Sequence, residues 1–249
     1  MKQATNKAAV ESAPVPVIPD PVIEVHNGLS LCDAVRSCFE EASNDQGKLT
    51  DYVLNIDGMS GKKFRYFLNN LMAKVSNPRY LEVGSWAGST FCSAIFGNTL
   101  RAVAIDNWSQ FGGPVNHFFI NLANCTSVAA RTSVIFEDFR KVDFGALGKF
   151  NVYLFDGPHA YEDQYDGLIR AWNGLTEEFV FIVDDWNWDG VRAGTMDAIR
   201  DLGLEVQMKI EVRTTQDNSH PAIGGKQSDW HNGYFISVLR KNGAVSQAA

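Results

Sequence analysis

The sequence predicts an α/β protein: a seven-stranded, mostly parallel sheet with helices on both faces, an antiparallel last strand and an N-terminal helical cap. Three observations carry this. From Arg79 onward, short apolar runs alternate with amphipathic stretches, the pattern of a parallel sheet covered on both sides. No clear helix separates the last two runs, so the seventh strand is expected to turn back. Finally, turns rich in glycine and aspartate follow several runs, at the sheet edge where open α/β folds bind ligands.

Taken in order, residues 1–27 lack periodicity and are proline-rich from Ala13-Pro14 to Pro19-Asp20-Pro21. That composition favours extended conformations, and we expect a flexible tail or an arm lying on a neighbouring subunit. Residues 28–78 make the helical cap. Ser30 is a plausible N-cap, with Leu31, Val35, Cys38 and Phe39 on one face of a first helix. Phe64, Phe67, Leu68, Leu71, Met72 and Val75 follow helical spacing in a second, which Pro78 ends. Residues 79–243 form the main domain. Its expected strands are Tyr80–Val83, Ala102–Ile105, Ser133–Phe136, Val152–Phe155, Val180–Val183, Glu205–Ile210 and Tyr234–Leu239. Helical stretches lie between them: Val115, Phe118, Phe119 and Leu122 follow Pro114, and Tyr161, Tyr165, Leu168, Ile169 and Trp172 follow later. The three aromatic residues of that last set read as core. The polar stretch 213–233 is long enough to suggest a substrate lid, or disorder.

Composition narrows the function. With 249 residues, 45% hydrophobic and 20% charged, one domain can bury roughly three quarters of its unfolded surface without a disulfide or structural metal. The net charge is -7, and the 22 lysines and arginines are scattered rather than striped. A phosphate backbone needs a basic face, so nucleic acid is not an expected partner. Cys32, Cys38, Cys92 and Cys125 show no CxxC spacing, and Met1–Val10 is no signal peptide. No window approaches the roughly 20 apolar residues of a membrane span. We therefore expect a cytoplasmic protein with no membrane partner. The tail and first helices are a candidate homodimer surface.

The first motif is Glu82-Val83-Gly84-Ser85-Trp86-Ala87-Gly88-Ser89-Thr90, between a strand and a helix. Glycines let the backbone turn sharply and approach a ligand, while the helix start and Ser89 offer donors to a ligand carboxylate. Asp106, with Asn107 and Trp108 beside it, closes the second strand where an acidic side chain can accept both ribose hydroxyls. The spacing is G-x-x-x-G, not G-x-G-x-x-G, which disfavours a nicotinamide dinucleotide. A turn that merely packs helix on strand is the structural alternative.

The pattern E-x-G-x-x-x-G-x-S with a later strand-end Asp resembles the class I S-adenosylmethionine (SAM)-dependent methyltransferases, over roughly residues 60–239. The resemblance implies a Rossmann-like sheet and SAM as cofactor. It implies that Glu82 faces the methionine amino group, Asp138 the adenine amino group and Phe139 the adenine ring.

The second motif is Leu154-Phe155-Asp156-Gly157-Pro158-His159-Ala160-Tyr161-Glu162, and the third is Ile182-Val183-Asp184-Asp185-Trp186. Each ends a strand, so Asp156, Asp184 and Asp185 should meet in one cleft. Crowded carboxylates repel unless a cation or protons intervene, and an all-oxygen set suits Mg²⁺. The D-G-x-H-x-Y-E pattern resembles small-molecule and sugar O-methyltransferases. That implies transfer of a methyl group to a hydroxyl of a small-molecule or glycan acceptor, with metal at Asp156, Asp184 and Asp185. His159 would be the general base, its unperturbed pKa of about 6.5 suiting neutral pH. The alternatives are a His159 that caps the next helix or binds a carbonyl, and an Asp184–Asp185 pair that caps the helix near Trp188 or contacts SAM without metal. Trp86, Trp108, Trp186 and Trp188 fall on cleft-edge loops, where rings cover a cofactor or line an acceptor site. A turn of Leu175-Thr176-Glu177-Glu178-Phe179 replaces the Gly-Gly turn of many relatives. A nicotinamide-dependent oxidoreductase and a non-catalytic SAM-binding module are the other function classes.

Overall fold

A computed structural model describes residues 30–242; the tail expected over residues 1–27 lies outside the described residues. Seven strands form one sheet in the order β3-β2-β1-β4-β5-β7-β6. They are β1 (Arg79–Val83), β2 (Leu100–Asp106), β3 (Ala130–Phe136), β4 (Phe150–Phe155), β5 (Leu175–Asp184), β6 (Glu205–Val212) and β7 (Tyr234–Arg240). Only β7 is antiparallel, to both β5 and β6. Every expected strand is present. β5 starts earlier than anticipated because Leu175–Phe179 joins the strand instead of forming a turn.

Along the inner strands side chains alternate between two cores, as the two-residue period of a strand requires. Tyr80, Ala102, Leu154, Ile182 and Ile236 face one core with α1 (Leu31–Ser43), α3 (Lys62–Lys74), α4 (Ser89–Ile95) and α5 (Val115–Cys125). Leu81, Val103, Phe155, Val183 and Phe235 face the other with α6 (Tyr161–Ala171) and α7 (Asp189–Asp201). The cap helices thus share a core with the sheet. Of the three aromatic residues expected in the core, Tyr165 and Trp172 pack partly buried against the second core, whereas Tyr161 is exposed. Tyr161 and Tyr165 stack on each other and reach Asp197 and Asp201, tying α6 to α7.

Local signals explain some helix ends and tertiary contacts explain others. Ser30 caps α1 by accepting from the Asp33 amide. A short helix the periodicity did not reveal, α2 (Asp51–Leu54), follows. α3 has no side-chain cap. The backbone carbonyls of Ser228 and Asp229 instead accept from the amides of Lys62, Lys63 and Phe64 at 2.8–3.3 Å. The stretch 213–233 is thereby stitched to the cap rather than hanging free.

Strand order reverses between β1 and β4, and the loops leaving these strands flank the crevice at the switch point. Gly84 is required there. It sits at φ +89°, and an added Cβ would lie 1.8 Å from the Asp156 carbonyl oxygen.

Candidate active site

A cavity lies along the carboxyl ends of β1, β2, β3 and β4. Gly84, Ser85, Trp86, Ser89, Asp106, Asn107, Asp138, Phe139, Asp156 and His159 all belong to its wall. Of the residues expected at the cofactor, Glu82, Gly88 and Trp108 do not. Gly88 instead supplies a left-handed turn, φ +89°, directly before α4.

Glu82 is fully buried. Its carboxyl accepts from the Tyr80 hydroxyl and, at 2.9 Å, from the Thr90 hydroxyl. Burial pushes it up to about 8, against hydrogen bonds from Tyr80 and Thr90 that favour the ionised form. The side chain braces the glycine turn from behind.

Asp106 ties two loops together. One oxygen accepts from the Trp86 amide at 2.8 Å and the other from the Trp108 amide at 2.6 Å. The indoles continue the lacing, Trp86 donating to the Phe111 carbonyl and Trp108 to the Trp86 carbonyl. Trp86, Trp108 and Phe111 all hold positive φ, between 44° and 49°. Such strain in non-glycine residues persists only where the surroundings impose it, and gathers at functional sites.

On the β3 side, Asp138 accepts from the Arg140 amide and guanidinium, which hold it below the usual carboxylate range. Phe139 is buried edge-on against Phe155, with the Arg140 guanidinium 4.5 Å from its ring centre. Neither local sequence pattern nor resemblance pointed to Gly58, Met59 and Ser60, which complete the wall from the α2–α3 connection. Ser60 bonds the Ser89 hydroxyl at 2.9 Å, so Ser89 is already partnered. The only local signal was the glycine pair of Asp57-Gly58-Met59-Ser60-Gly61.

At the other end Asp156 and His159 line the wall, while the buried Asp184 and Asp185 do not; His159 stands between Asp156 and Asp185. His159 Nε2 lies 2.9 Å from Asp185 Oδ2 and 3.9 Å from Asp156 Oδ1. The 2.9 Å approach is off the N–H axis, so Nε2 closes no aligned hydrogen bond. Burial pulls the imidazole pKa down, but Asp156 and Asp185 prevail and raise it to about 10. The unperturbed imidazole expected from sequence is therefore an imidazolium here. Burial, then the charges of Asp156 and Asp185, push Asp184 well above the carboxylate range. Burial likewise raises Asp156 to about 6. Asp185 goes the other way, because His159 and Asn232 outweigh its burial. Neither aspartate caps α7, whose N-cap is Trp188 without a side-chain bond. Trp188 packs between His159 and His220, whereas Trp186 is core against Phe235.

Asp184 Oδ1 is buried without a hydrogen-bond partner, an orphan that calls for an explanation and that a hard divalent cation would supply. The expected set of Asp156, Asp184 and Asp185 is not the group with mutual reach: among the described residues, the donor atoms lying within 4.8 Å of one another belong to Asp184, Asp185 and His231. His231 lies within ligand reach of Asp184 and Asp185, yet its Nδ1 accepts from the Gly225 amide at 2.8 Å. The neutral ring then carries its proton on Nε2, leaving no lone pair there for a metal.

No family model matches the chain, and no curated protein matches it. Solved structures do. The cofactor-bound Rv0187 of MTB is 15% identical with a TM-score of 0.51, the match covering 88% of this chain and 94% of that one. A protein of Streptococcus mutans, described as a candidate SAM-dependent methyltransferase, is 9% identical with a TM-score of 0.50. That match covers 72% of this chain but only 48% of the other, so this chain aligns with about half the length of that neighbour. A Pyrococcus horikoshii protein described as a candidate RNA methyltransferase is 12% identical with a TM-score of 0.49, covering 85% and 98%. The shared property is the fold, a Rossmann-like, mostly parallel seven-stranded sheet.

Proposed function

We propose that the chain is a SAM-dependent methyltransferase acting on a hydroxyl of a small molecule or sugar, with a divalent cation, Mg²⁺ by its donor set, held at Asp156, Asp184 and Asp185. The observation that carries this reading is the continuity of one cavity, whose wall runs from the glycine turn and Asp106 to Asp156 and His159. A donor bound at one end would face the acid–base cluster at the other, as in-line transfer requires.

When bound, SAM would supply a methyl group on a cationic sulfonium and the cation a Lewis acid toward the acceptor oxygen. The chain's own residues would do the rest. The Gly84–Gly88 turn allows close approach of the nucleoside, and Asp106, whose oxygens each accept one backbone amide, retains acceptor capacity for ribose hydroxyls. Phe139 and Asp138 close the adenine end. His159 Nε2 takes the hydroxyl proton. In the chain alone that nitrogen is protonated, held so by Asp156 and Asp185. Positive charge in the acid cluster would repel that proton, so His159 becomes a base only when the cluster is neutralised.

A polyanionic acceptor suits the cavity poorly. The one arginine or lysine among its described wall residues, Arg140, is already paired with Asp138 and Asp163. An oxidoreductase would need a pyrophosphate cradle that the G-x-x-x-G turn lacks. A non-catalytic binder would have no reason to keep the unpartnered Asp184 and His159 atoms buried.

Calorimetric titration with S-adenosylhomocysteine (SAH) and with NADH tests the cofactor. SAH binding is expected, and NADH binding alone would overturn the proposal. Methyl transfer from labelled SAM to hydroxylated small molecules and sugars, with RNA as a comparator, tests the acceptor. Activity should require added Mg²⁺ and disappear with EDTA; labelling of RNA alone would displace the small-molecule assignment.

A further inference from the structure

Stretch 213–233 reaches the acid cluster through two buried carboxamides, those of Asn187 and Asn232, the first of which also donates back to the stretch, at Thr214 Oγ1 and the Ser219 carbonyl. Beyond the end of the β5–β7 ladder the chains stay paired, the Trp186 amide donating to the Gly233 carbonyl and the Asn187 amide to the Asn232 carbonyl. Asn187 and Asn232 are both fully buried. Asn187 Oδ1 accepts from the backbone amides of Thr214 at 2.9 Å and Thr215 at 3.3 Å. Backbone N–H groups can only donate, so they fix which end of the Asn187 carboxamide is oxygen. Its Nδ2 must then face outward, and it donates to Asn232 Oδ1 at 2.8 Å. That in turn fixes Asn232, whose Nδ2 donates to Asp185 Oδ1 at 2.9 Å. The free oxygen of Asp185, Oδ2, is the one beside His159. Asp185 itself sits at φ +57°, a strained conformation for a side-chain-bearing residue.

We propose that Asn187 and Asn232 are positioning residues: a relay of hydrogen-bond polarity, set by the Thr214 and Thr215 amides, that aims Asp185 Oδ2 at His159 and the cation site. The inference rests on the function proposed above. It makes stretch 213–233 part of the catalytic apparatus: Asn232 hydrogen-bonds an acid of the cluster, and His231 Nε2 lies 4.0 Å from the same Asp185 oxygen. Polarity, rather than packing, is the distinguishing feature. In Asn187→Asp the residue keeps an acceptor for Thr214 and Thr215 but loses the donor toward Asn232. The Asn232 carboxamide should then flip and present its oxygen to Asp185, although residue 187 never touches Asp185.

The test compares wild type, Asn232→Leu and Asn187→Asp as full chains, with Mn²⁺ as the probe. Mn²⁺ affinity, read by electron paramagnetic resonance, should fall at least tenfold in both variants, while SAH affinity stays within threefold of wild type. In ¹H–¹⁵N spectra, the side-chain amide signals that vanish in Asn232→Leu should move in Asn187→Asp. Mn²⁺ affinities within threefold of wild type in both variants would overturn the relay. So would a wild type that binds no Mn²⁺ at millimolar concentration, since Asp185 would then have no cation to face. Failure of every protein to bind SAH would instead overturn the proposed function, and the Mn²⁺ comparison would still decide the relay without nucleoside. Should Asn187→Asp not fold, Asn232→Leu decides alone.

Discussion

At the β1–β2 end of the cavity, Asp106 gives both carboxylate oxygens to backbone amides, and the Trp86 and Trp108 indoles find carbonyls. Toward β4 and β5, Asp184 Oδ1 and His159 Nε2 are buried with no aligned partner, whereas the glycine turn holds a single such atom, Ser85 Oγ. Both ends hang on strand termini of one sheet, so the contrast is not one of scaffold. A satisfied polar group is stable and has little left to react with, which suits a surface that must hold a ligand in one pose. An unsatisfied buried group costs roughly 1–3 kcal/mol, and persists where a ligand or reaction completes it. The difference assigns holding to one end and chemistry to the other.

The harshest way to break the comparison is to damage both ends at once. Gly84→Ala puts a methyl group 1.8 Å from the Asp156 carbonyl at φ +89°, where the β1 and β4 loops touch. We expect a loss of about 3 kcal/mol or more of stability, seen in urea unfolding, with SAH binding lost. A variant as stable as wild type would mean that the two loops move independently.

His159→Ala should then separate the ends. If the β4–β5 end does chemistry alone, methyl transfer falls at least about a thousandfold, at the upper part of the range for a general base, while SAH affinity changes less than threefold. Equal losses in both readouts would erase the division. Asp106→Asn is the converse and milder change. One oxygen becomes a donor facing a backbone N–H, so SAH affinity should drop about tenfold, with kcat at saturating SAM nearly unchanged.

The same contrast marks how far the sequence could be followed. All seven strands, the Ser30 cap and the residues from Gly84 to Asp106 are legible because local periodicity and turn chemistry encode them. The convergence of Asp156, Asp184, Asp185 and His159 is legible too, once β4 and β5 are known to be parallel neighbours. What escapes is whatever depends on distant partners. α3 has no cap signal because Ser228 and Asp229 supply it. Gly58, Met59 and Ser60 enter the cavity wall only through the packing of the α2–α3 connection on α4. Asn187 and Asn232 look like ordinary loop residues until their 45-residue separation is closed. The His159 shift is similarly invisible, since it comes from carboxylates brought in by two different strands.

Glu82 gives the gentlest test, because it belongs to the satisfied end and yet is a buried acid. Burial raises its pKa to about 8 in the folded chain, from about 4.3 when unfolded. Between those values the folded state holds a proton that the unfolded state has released. This contribution to stability is therefore fully present below about pH 4.3, and is lost as pH rises through about 8. Its slope approaches about 1.4 kcal/mol per pH unit within that window. Glu82→Gln keeps the shape and removes the titration, so its unfolding free energy should vary less steeply from pH 5 to 8 than that of wild type. SAH affinity should stay within a few-fold, since Glu82 does not line the cavity. Parallel stability curves for the two proteins would mean that Glu82 is ionised, its charge carried by the Tyr80 and Thr90 hydroxyls. A large loss of SAH affinity would move Glu82 from bracing the turn to touching the ligand, and the holding end would then contain a reactive acid of its own.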